Sequence, residues 1–459
     1  MTDAKAGAAS PDAPRGALQG KYHLVGIGGA GMSVVAELLA ASGADVSGSD
    51  SKESATTRRL AAEGISVSIG HDARHVPADA VVVVSSAIRE SNPELAAARE
   101  RSQKVLHRSQ ALALAARGRD FVAVAGAHGK TTTSAMIATA LREAGLDPSW
   151  AIGGSVVGAG GGSHLGGGRA FVAEADESDA SFLNYEPLVE VVTNVEPDHL
   201  DHYGSAEAFE EAFAQFARLL KADGALIACA DSPGALRMAV GAIDRGQRVV
   251  TYGRGDGPRG AAAHVRVSPV RAQSGEARQE KAASGEAEPD ESPREASRPL
   301  GASGTFDDGS GPVRVDLSVV GDHNLLHAAA AWAAGVELGV GREEMASALS
   351  HFLGTGRRFE LRGEAGGVRV VDDYAHHPTE VEATLRAARA VVGDGALRVL
   401  FQPHLYSRTA NFADRFAEAL SLADDVVVTS VYAAREDPTP GVEGDLVTSR
   451  MDPARAQFV

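Results

Sequence analysis

At 459 residues the chain exceeds one ordinary domain, and at ~150 residues per domain it should form about three. Its 44% hydrophobic and 23% charged composition excludes wholesale disorder; 61 acids against 44 bases, a net charge of −17, exclude a broad nucleic-acid surface but leave room for a local anion pocket. A single cysteine excludes a disulfide scaffold and a cysteine zinc site, and no apolar run nears the ~18 residues of a membrane span, so a cytoplasmic protein without a membrane partner is expected.

Residues 1–19 are small, polar and Pro-containing and read as a disordered leader. From Lys21, short β-branched runs alternate with Ala-rich helical stretches (YHLVGIG, MSVVAELLAAS, ADVSGSD, AVVVVSSAI, PELAAARERS), which predicts a parallel α/β unit over residues 20–118. Its first strand, at His23 to Val25, runs into Gly26-Ile27-Gly28-Gly29-Ala30-Gly31 and then a helix. Glycines there let the backbone turn tightly against a diphosphate, whose charge is met by helix N-terminal amides. Asp50, after the next strand, stands about where such folds place a ribose-binding acid. Taken alone, this loop reads first as that of a nicotinamide or flavin dehydrogenase.

A second series, over residues 119–355, starts at FVAVAG and continues through RAFVAEAD, VEVVTNV, GALIACA and QRVVTYG. It opens with Val124-Ala125-Gly126-Ala127-His128-Gly129-Lys130-Thr131-Thr132-Thr133, a phosphate loop with Val124 at the usual first glycine. Gly126 and Gly129 expose amides, Lys130 neutralises β/γ-phosphate charge and the Thr131 hydroxyl suits Mg2+. The cluster Glu174-Ala175-Asp176-Glu177-Ser178-Asp179 ends one strand, where carboxylates suit a hard cation. A second cluster, Thr193 to His202, crowds acids and histidines into another strand exit. By itself it suggests a transition-metal hydrolase; beside the phosphate loop it suggests Mg2+, with His199 in a hydrogen-bonding role. Residues 271–304 carry Leu300 as their one large aliphatic or aromatic residue and read as a disordered insertion. Cys229, in an apolar run, reads as a small core residue.

A third unit, over residues 356–459, takes VRVVDD (Val368–Asp373) as its first strand, followed by LRVLFQP and DDVVVTSVY. Asp372-Asp373-Tyr374-Ala375-His376-His377-Pro378 and Gln402 to Arg408 are then adjacent strand ends, whose rings and guanidinium form a carboxylate pocket.

In order, GIGGAGMS, SGSD, VVSSAI, AHGKTTT, EADESDASFL, TNVEPDHLDHY, GRRFE, DDYAHHPTE, FQPHLYSRT and VYAARE resemble the Mur ligases of peptidoglycan synthesis from Lys21 to about Gly441. The resemblance implies three sequential α/β domains: Rossmann-like N- and C-terminal domains flanking a central P-loop ATPase domain. It implies an ATP-dependent ligase that joins L-alanine to UDP-N-acetylmuramate. Gly28, Gly29, Ala30, Gly31, Asp50 and Ser85 would hold the UDP-sugar, and no nicotinamide is implied. Gly126, His128, Gly129, Lys130, Thr131, Thr132, Asn324, Arg358 and Asp373 would hold ATP, with Lys130, Glu174 and His199 catalytic. Thr131, Glu174 and His199 would serve two Mg2+ ions, and Tyr374, His376 and Arg408 would surround L-alanine, in a monomer or homodimer. Here Ala127 replaces a usual Thr and His327 a usual Asn. The family's third domain normally continues with another strand and a glycine turn, whereas this sequence stops at Val459; if those strands are missing, poor amino-acid binding follows. Two alternatives stand beside the ligase: a non-catalytic UDP-sugar and ATP-binding protein of the same fold, and the related ligase that reattaches a preformed peptide.

Overall fold

The computed structural model describes residues 18–159, 161–270, 301–434 and 436–459. Backbone proximity divides the chain into two units: one holds residues up to Phe121 with Gly145–Ala151 and Ser163–Val172, and the other holds Val122–Ala144, Ile152–Gly162 and Ala173 onward.

In the first unit, β1 (Lys21–Val25), β2 (Asp45–Asp50), β3 (Ser66–Ile69), β4 (Val81–Val84) and β5 (Val105–His107) form a parallel sheet in the order β3-β2-β1-β4-β5. The order reverses between β1 and β4, which opens a crevice beyond their carboxyl ends, the usual ligand position in open α/β sheets. Helix Ala30–Ala41 buries Met32, Val35, Ala36, Leu38 and Leu39, an i, i+3, i+4 spacing that lays one apolar face on the sheet.

A larger sheet comprises β6 (Asp120–Ala125), β7 (Ser149–Val156), β8 (Gly161–His164), β9 (Ala170–Glu174), β10 (Val189–Val192), β11 (Ala225–Cys229), β12 (Arg248–Gly253), β13 (Ala263–Pro269), β14 (Ser303–Asp307) and β15 (Val313–Asp316). Its order is β15-β14-β13-β12-β11-β10-β6-β9-β7-β8. Strands β6 and β10 to β13 are parallel, so β10, β6 and β9, whose exits carry the motifs, are neighbours. Helix Ala206–Ala217 buries Phe209, Phe213 and Phe216, spaced i, i+4, i+7; Phe213 meets Phe182 edge-on, and the Phe209–Phe213 and Phe182–Phe216 pairs are tilted. Further along, β18 (Arg398–Phe401), β19 (Asp425–Val428) and β20 (Ala456–Phe458) form a parallel sheet over a core that includes Leu385, Phe401, Phe416, Leu420 and Val447.

Two expectations are corrected. The run VRVVDD belongs to an antiparallel hairpin, β16 (Glu360–Ala365) with β17 (Val368–Asp372), and does not join the parallel sheet. Its turn is Gly366-Gly367, both at positive φ (57° and 77°), a pair that favours two-residue hairpins, and Val368 and Val370 stay 62% and 57% exposed. The tails of β17 and β18 are therefore not adjacent ends of one sheet. The predicted insertion ends too late: Ser303 and Gly304 lie in β14, which pairs with β13 and β15 and buries Phe306. Its remainder, residues 271–300, and leader residues 1–17 lie outside the described residues, whereas Leu18 donates its amide to the Ser42 carbonyl.

Glu190 of β10 is fully buried, and neither carboxylate oxygen has a partner. Burial, only partly opposed by Arg245, pushes its pKa well above the ordinary value. A carboxyl raised in the folded state is tolerated below its unfolded pKa and erodes stability as pH rises through the folded one. Glu190→Met should therefore stabilise the protein by about 1–3 kcal/mol, and by more at pH 8 than at pH 5. Equal shifts in urea melts at both pH values would show that Glu190 binds no more proton in the folded than in the unfolded chain, so that its pKa is not raised.

Candidate active site

β6 leads into the phosphate loop, and backbone sterics explain its glycines. Gly126 (φ 137°) and Gly129 (φ 84°) take left-handed conformations, and a Cβ would collide with Thr193 Oγ1 at the first and the His327 ring at the second. The β10 exit braces the loop: Asn194 Oδ1 accepts the His128 amide at 3.2 Å, while Thr193 Oγ1 and Asn194 Nδ2 donate to the His128 carbonyl at 2.6 and 2.8 Å. Gly129 caps helix Lys130–Glu143, so the helix N-terminus opens on the loop.

Lys130 Nζ donates to the Gly126 carbonyl at 2.7 Å and lies 2.8 Å from both oxygens of buried Glu177. Burial works against the ammonium charge, but Glu177, Asp176 and Glu174 outweigh it and hold its pKa above the ordinary value. Glu174 accepts the Gly153 amide at 2.8 Å and the Thr131 hydroxyl, and burial raises its pKa. His199 sits at φ 53°, strained for a non-glycine residue, with Nε2 3.7 Å from Glu177 and a buried Nδ1 that has no partner. A hydroxyl, a carboxylate and an orphaned imidazole nitrogen, at neighbouring strand exits, fit a divalent cation.

Beside the loop lies a cavity of ≈ 670 Å3, within the range of small-molecule sites. Its lining includes Thr131, Thr132, Asn324, Arg358, Asp373 and, on one wall, Cys229 with Tyr252. Asp373 accepts the Phe359 and Ala375 amides at 2.9 and 2.8 Å, and Arg358 meets Glu380 at 3.3 Å. Asn324 spends its amide on the Val320 carbonyl at 2.7 Å.

Of the predicted carboxylate pocket, Tyr374 and His376 lie together (ring centroids 4.9 Å apart), and His404 lies 5.6 Å from the His376 ring. Arg408 is only 4% exposed: it donates to both oxygens of Asp198 at 3.1 and 2.9 Å and meets His404 at 3.2 Å. His128, Glu196 and His377 bring ligand atoms within 4.8 Å of one another, but Glu196 already accepts from Thr379 and Arg415. This trio reads as a clasp on the start of helix Pro378–Val392.

In the first unit, the Gly26 and Ile27 amides bond the Ser49 carbonyl at 2.8 and 2.9 Å, and the Gly28 amide bonds Asp50 Oδ2 at 2.9 Å. Asp50 thus shapes the loop. Ser85 follows β4, across the switch point from the loop.

Residues 21–120 match the family description "Mur ligase family, catalytic domain", 124–335 "Mur ligase middle domain" and 357–457 "Mur ligase, glutamate ligase domain". The UDP-N-acetylmuramate--L-alanine ligase of Kineococcus radiotolerans is 54% identical over 93% of this chain and 85% of its own length. The chain belongs to the Mur ligase family. The enzyme of the same name from Renibacterium salmoninarum is 53% identical over 94% of this chain and 86% of its own. The solved UDP-N-acetylmuramate-alanine ligase of Thermotoga maritima superposes with TM-score 0.74 at 28% identity, covering 96% of this chain and 90% of that one.

Against this Mur ligase scaffold, sequence reasoning missed several groups. Glu380 collects Arg358 and the His376 and His377 amides, and its carboxyl is held well below the usual range against burial by His376, Arg358 and His128. Arg108 places Nη1 2.7 Å from where a Gly31 side chain would begin, a cation against the glycine loop. Its only sequence signal was a strand, β5, ending just before it.

Proposed function

We propose that this chain joins L-alanine to the lactyl carboxylate of UDP-N-acetylmuramate, converting ATP to ADP and phosphate, in cytoplasmic peptidoglycan precursor synthesis. The observation that carries it is the convergence of Lys130, Thr131, Glu174, Glu177 and His199 at the phosphate loop, with Thr131 also lining the nucleotide-sized cavity. Residues 20–118 serve the UDP-sugar through the 26–31 loop, Asp50 and Ser85; residues 119–355 serve ATP; residues 356–459 serve the amino acid through Tyr374, His376 and Arg408.

A carboxylate is a poor electrophile. Its oxygen first attacks the γ-phosphorus, the bond to the β-phosphate oxygen breaks and ADP leaves; the alanine amine then attacks the acyl carbon, losing a proton as phosphate departs. Bringing two anions together is mainly a matter of positioning and charge neutralisation. Lys130 and the loop amides supply both for the phosphates, and Arg358 adds a cation on the cavity wall. Thr131, Glu174 and His199 would hold Mg2+, two ions in our reading, which when bound neutralises phosphate charge. Burial lowers the pKa values of His128 and His377 beside the loop.

The test is phosphate release by the full chain with ATP, Mg2+ and UDP-N-acetylmuramate, with and without L-alanine. Alanine-dependent release supports the ligase. Release only with a preformed peptide supports the recycling ligase, and tight binding of both nucleotides without release leaves a binding protein.

A further inference from the structure

Glu94, at the second position of helix Pro93–Glu100, is fully buried in the first unit, and groups from neighbouring strands and loops converge on it. Ser49 Oγ, at the end of β2, donates to Oε2 at 2.6 Å, and His23 Nε2, from β1, donates to the same oxygen at 3.2 Å. The Asp72 amide, beyond β3, donates to Oε1 at 3.1 Å, with His71 and His75 ring nitrogens at 3.4 and 3.5 Å. Burial opposes the charge, yet the bonds from His23, Ser49 and Asp72 hold the pKa down at about 2, so the group is a carboxylate with acceptors only. Because that carboxylate only accepts, His23 donates to it through Nε2, and Ser47 approaches Nδ1 at 2.9 Å.

Ser49 is the link to the ligand loop. Its hydroxyl is bound by Glu94, while its carbonyl receives the amides of Gly26 and Ile27. Asp50, the next residue, receives the Gly28 amide on its side chain and the Gly70 amide on its carbonyl. One buried charge therefore ties the exits of β2 and β3 to each other and, through Ser49, to the turn after β1. These exits form the rim that a diphosphate must approach to within hydrogen-bond reach.

We propose that Glu94 is a positioning residue for the UDP-sugar: without touching the ligand, it sets the glycine loop through Ser49. The proposal rests on reading residues 26–31 as the UDP-sugar loop. Glutamine at this position has nearly the same shape but turns an NH2 donor toward other donors, so the network must rearrange. Alanine at Ser49 cuts the link, together with the 3.0 Å contact of the Ser49 hydroxyl to His71 Nδ1, and leaves the His23 and Asp72 bonds of Glu94 in place.

Titration calorimetry of the full chain with UDP-N-acetylmuramate and, separately, with ADP tests it. Glu94→Gln should raise the UDP-sugar Kd at least tenfold and Ser49→Ala severalfold, both leaving the ADP Kd within twofold. Steady-state KM for the UDP-sugar should rise with little change in kcat, and Glu94→Asp should recover part of the loss. Unchanged UDP-sugar affinity in both Glu94→Gln and Ser49→Ala would overturn the proposal. So would a parallel loss of ADP affinity in both, which marks general damage to the fold. A parent chain that binds ADP but not the UDP-sugar would overturn the reading of the loop itself.

Discussion

Lys130→Met should lower alanine-dependent phosphate release by at least ~1000-fold, the scale of losing a cation that acts on developing phosphate charge. The same substitution should destabilise the protein, because Glu177 is only 1% exposed and Lys130 is its counter-ion. Removing one member of a buried pair typically costs about 3–5 kcal/mol, since the other charge is left uncompensated. The two effects separate in Lys130→Met/Glu177→Gln, which should regain most of the stability and none of the activity. If the double variant recovers turnover, the lysine serves only to neutralise Glu177. Lys130 is held by Glu177 and the Gly126 and Ala127 carbonyls, which the proposed reaction would have it exchange for nucleotide phosphates.

Arg408→Ala should have the second large effect. Arg408 and Asp198 are 4% and 5% exposed, and the guanidinium makes two bonds to one carboxylate. Burial opposes the Asp198 charge, but His199 and Arg408 outweigh it and bring its pKa down to about 2. Loss of the arginine should cost about 3–5 kcal/mol and abolish alanine-dependent turnover. The sign of the pH dependence follows: a carboxyl depressed in the folded state adds stability above its unfolded pKa, near 3.8, and loses it as pH falls toward 2. Acid unfolding of the parent between those values should flatten in Arg408→Ala. An unchanged acid limb would show that the pair is already solvated in solution.

The parts that sequence made legible are those where backbone geometry restricts the residue type. Gly126 and Gly129 are such positions, because a Cβ has no room at either, and so the loop, its helix and the following lysine were readable together. The acid clusters were readable as strand exits, but sequence could not say which acid would face the lysine: Glu177 does so directly, and Glu174 turns to Thr131 and Gly153. Glu94, Glu380 and Arg108 were illegible because their partners come from distant segments and their local sequence resembles any helix start. Arg408 was read as part of a carboxylate pocket, and its bond to Asp198, 210 positions away, left no trace in either motif. The run VRVVDD misled because valines on an exposed hairpin look like those of a buried parallel strand, and the Gly366-Gly367 turn before them was the signal to weigh.

The wall of the cavity beside the phosphate loop carries the chain's one thiol. Cys229 is 5% exposed, and burial pushes its pKa up to about 11, so little thiolate exists at neutral pH and alkylation should be slow. With no competing cysteine, any covalent label reports on this wall alone. The rate at which iodoacetamide or a fluorescent maleimide modifies the protein is therefore a direct gauge of how often the cavity opens. Saturating ATP should suppress it, which provides an occupancy assay that needs no turnover and works equally in catalytically dead variants.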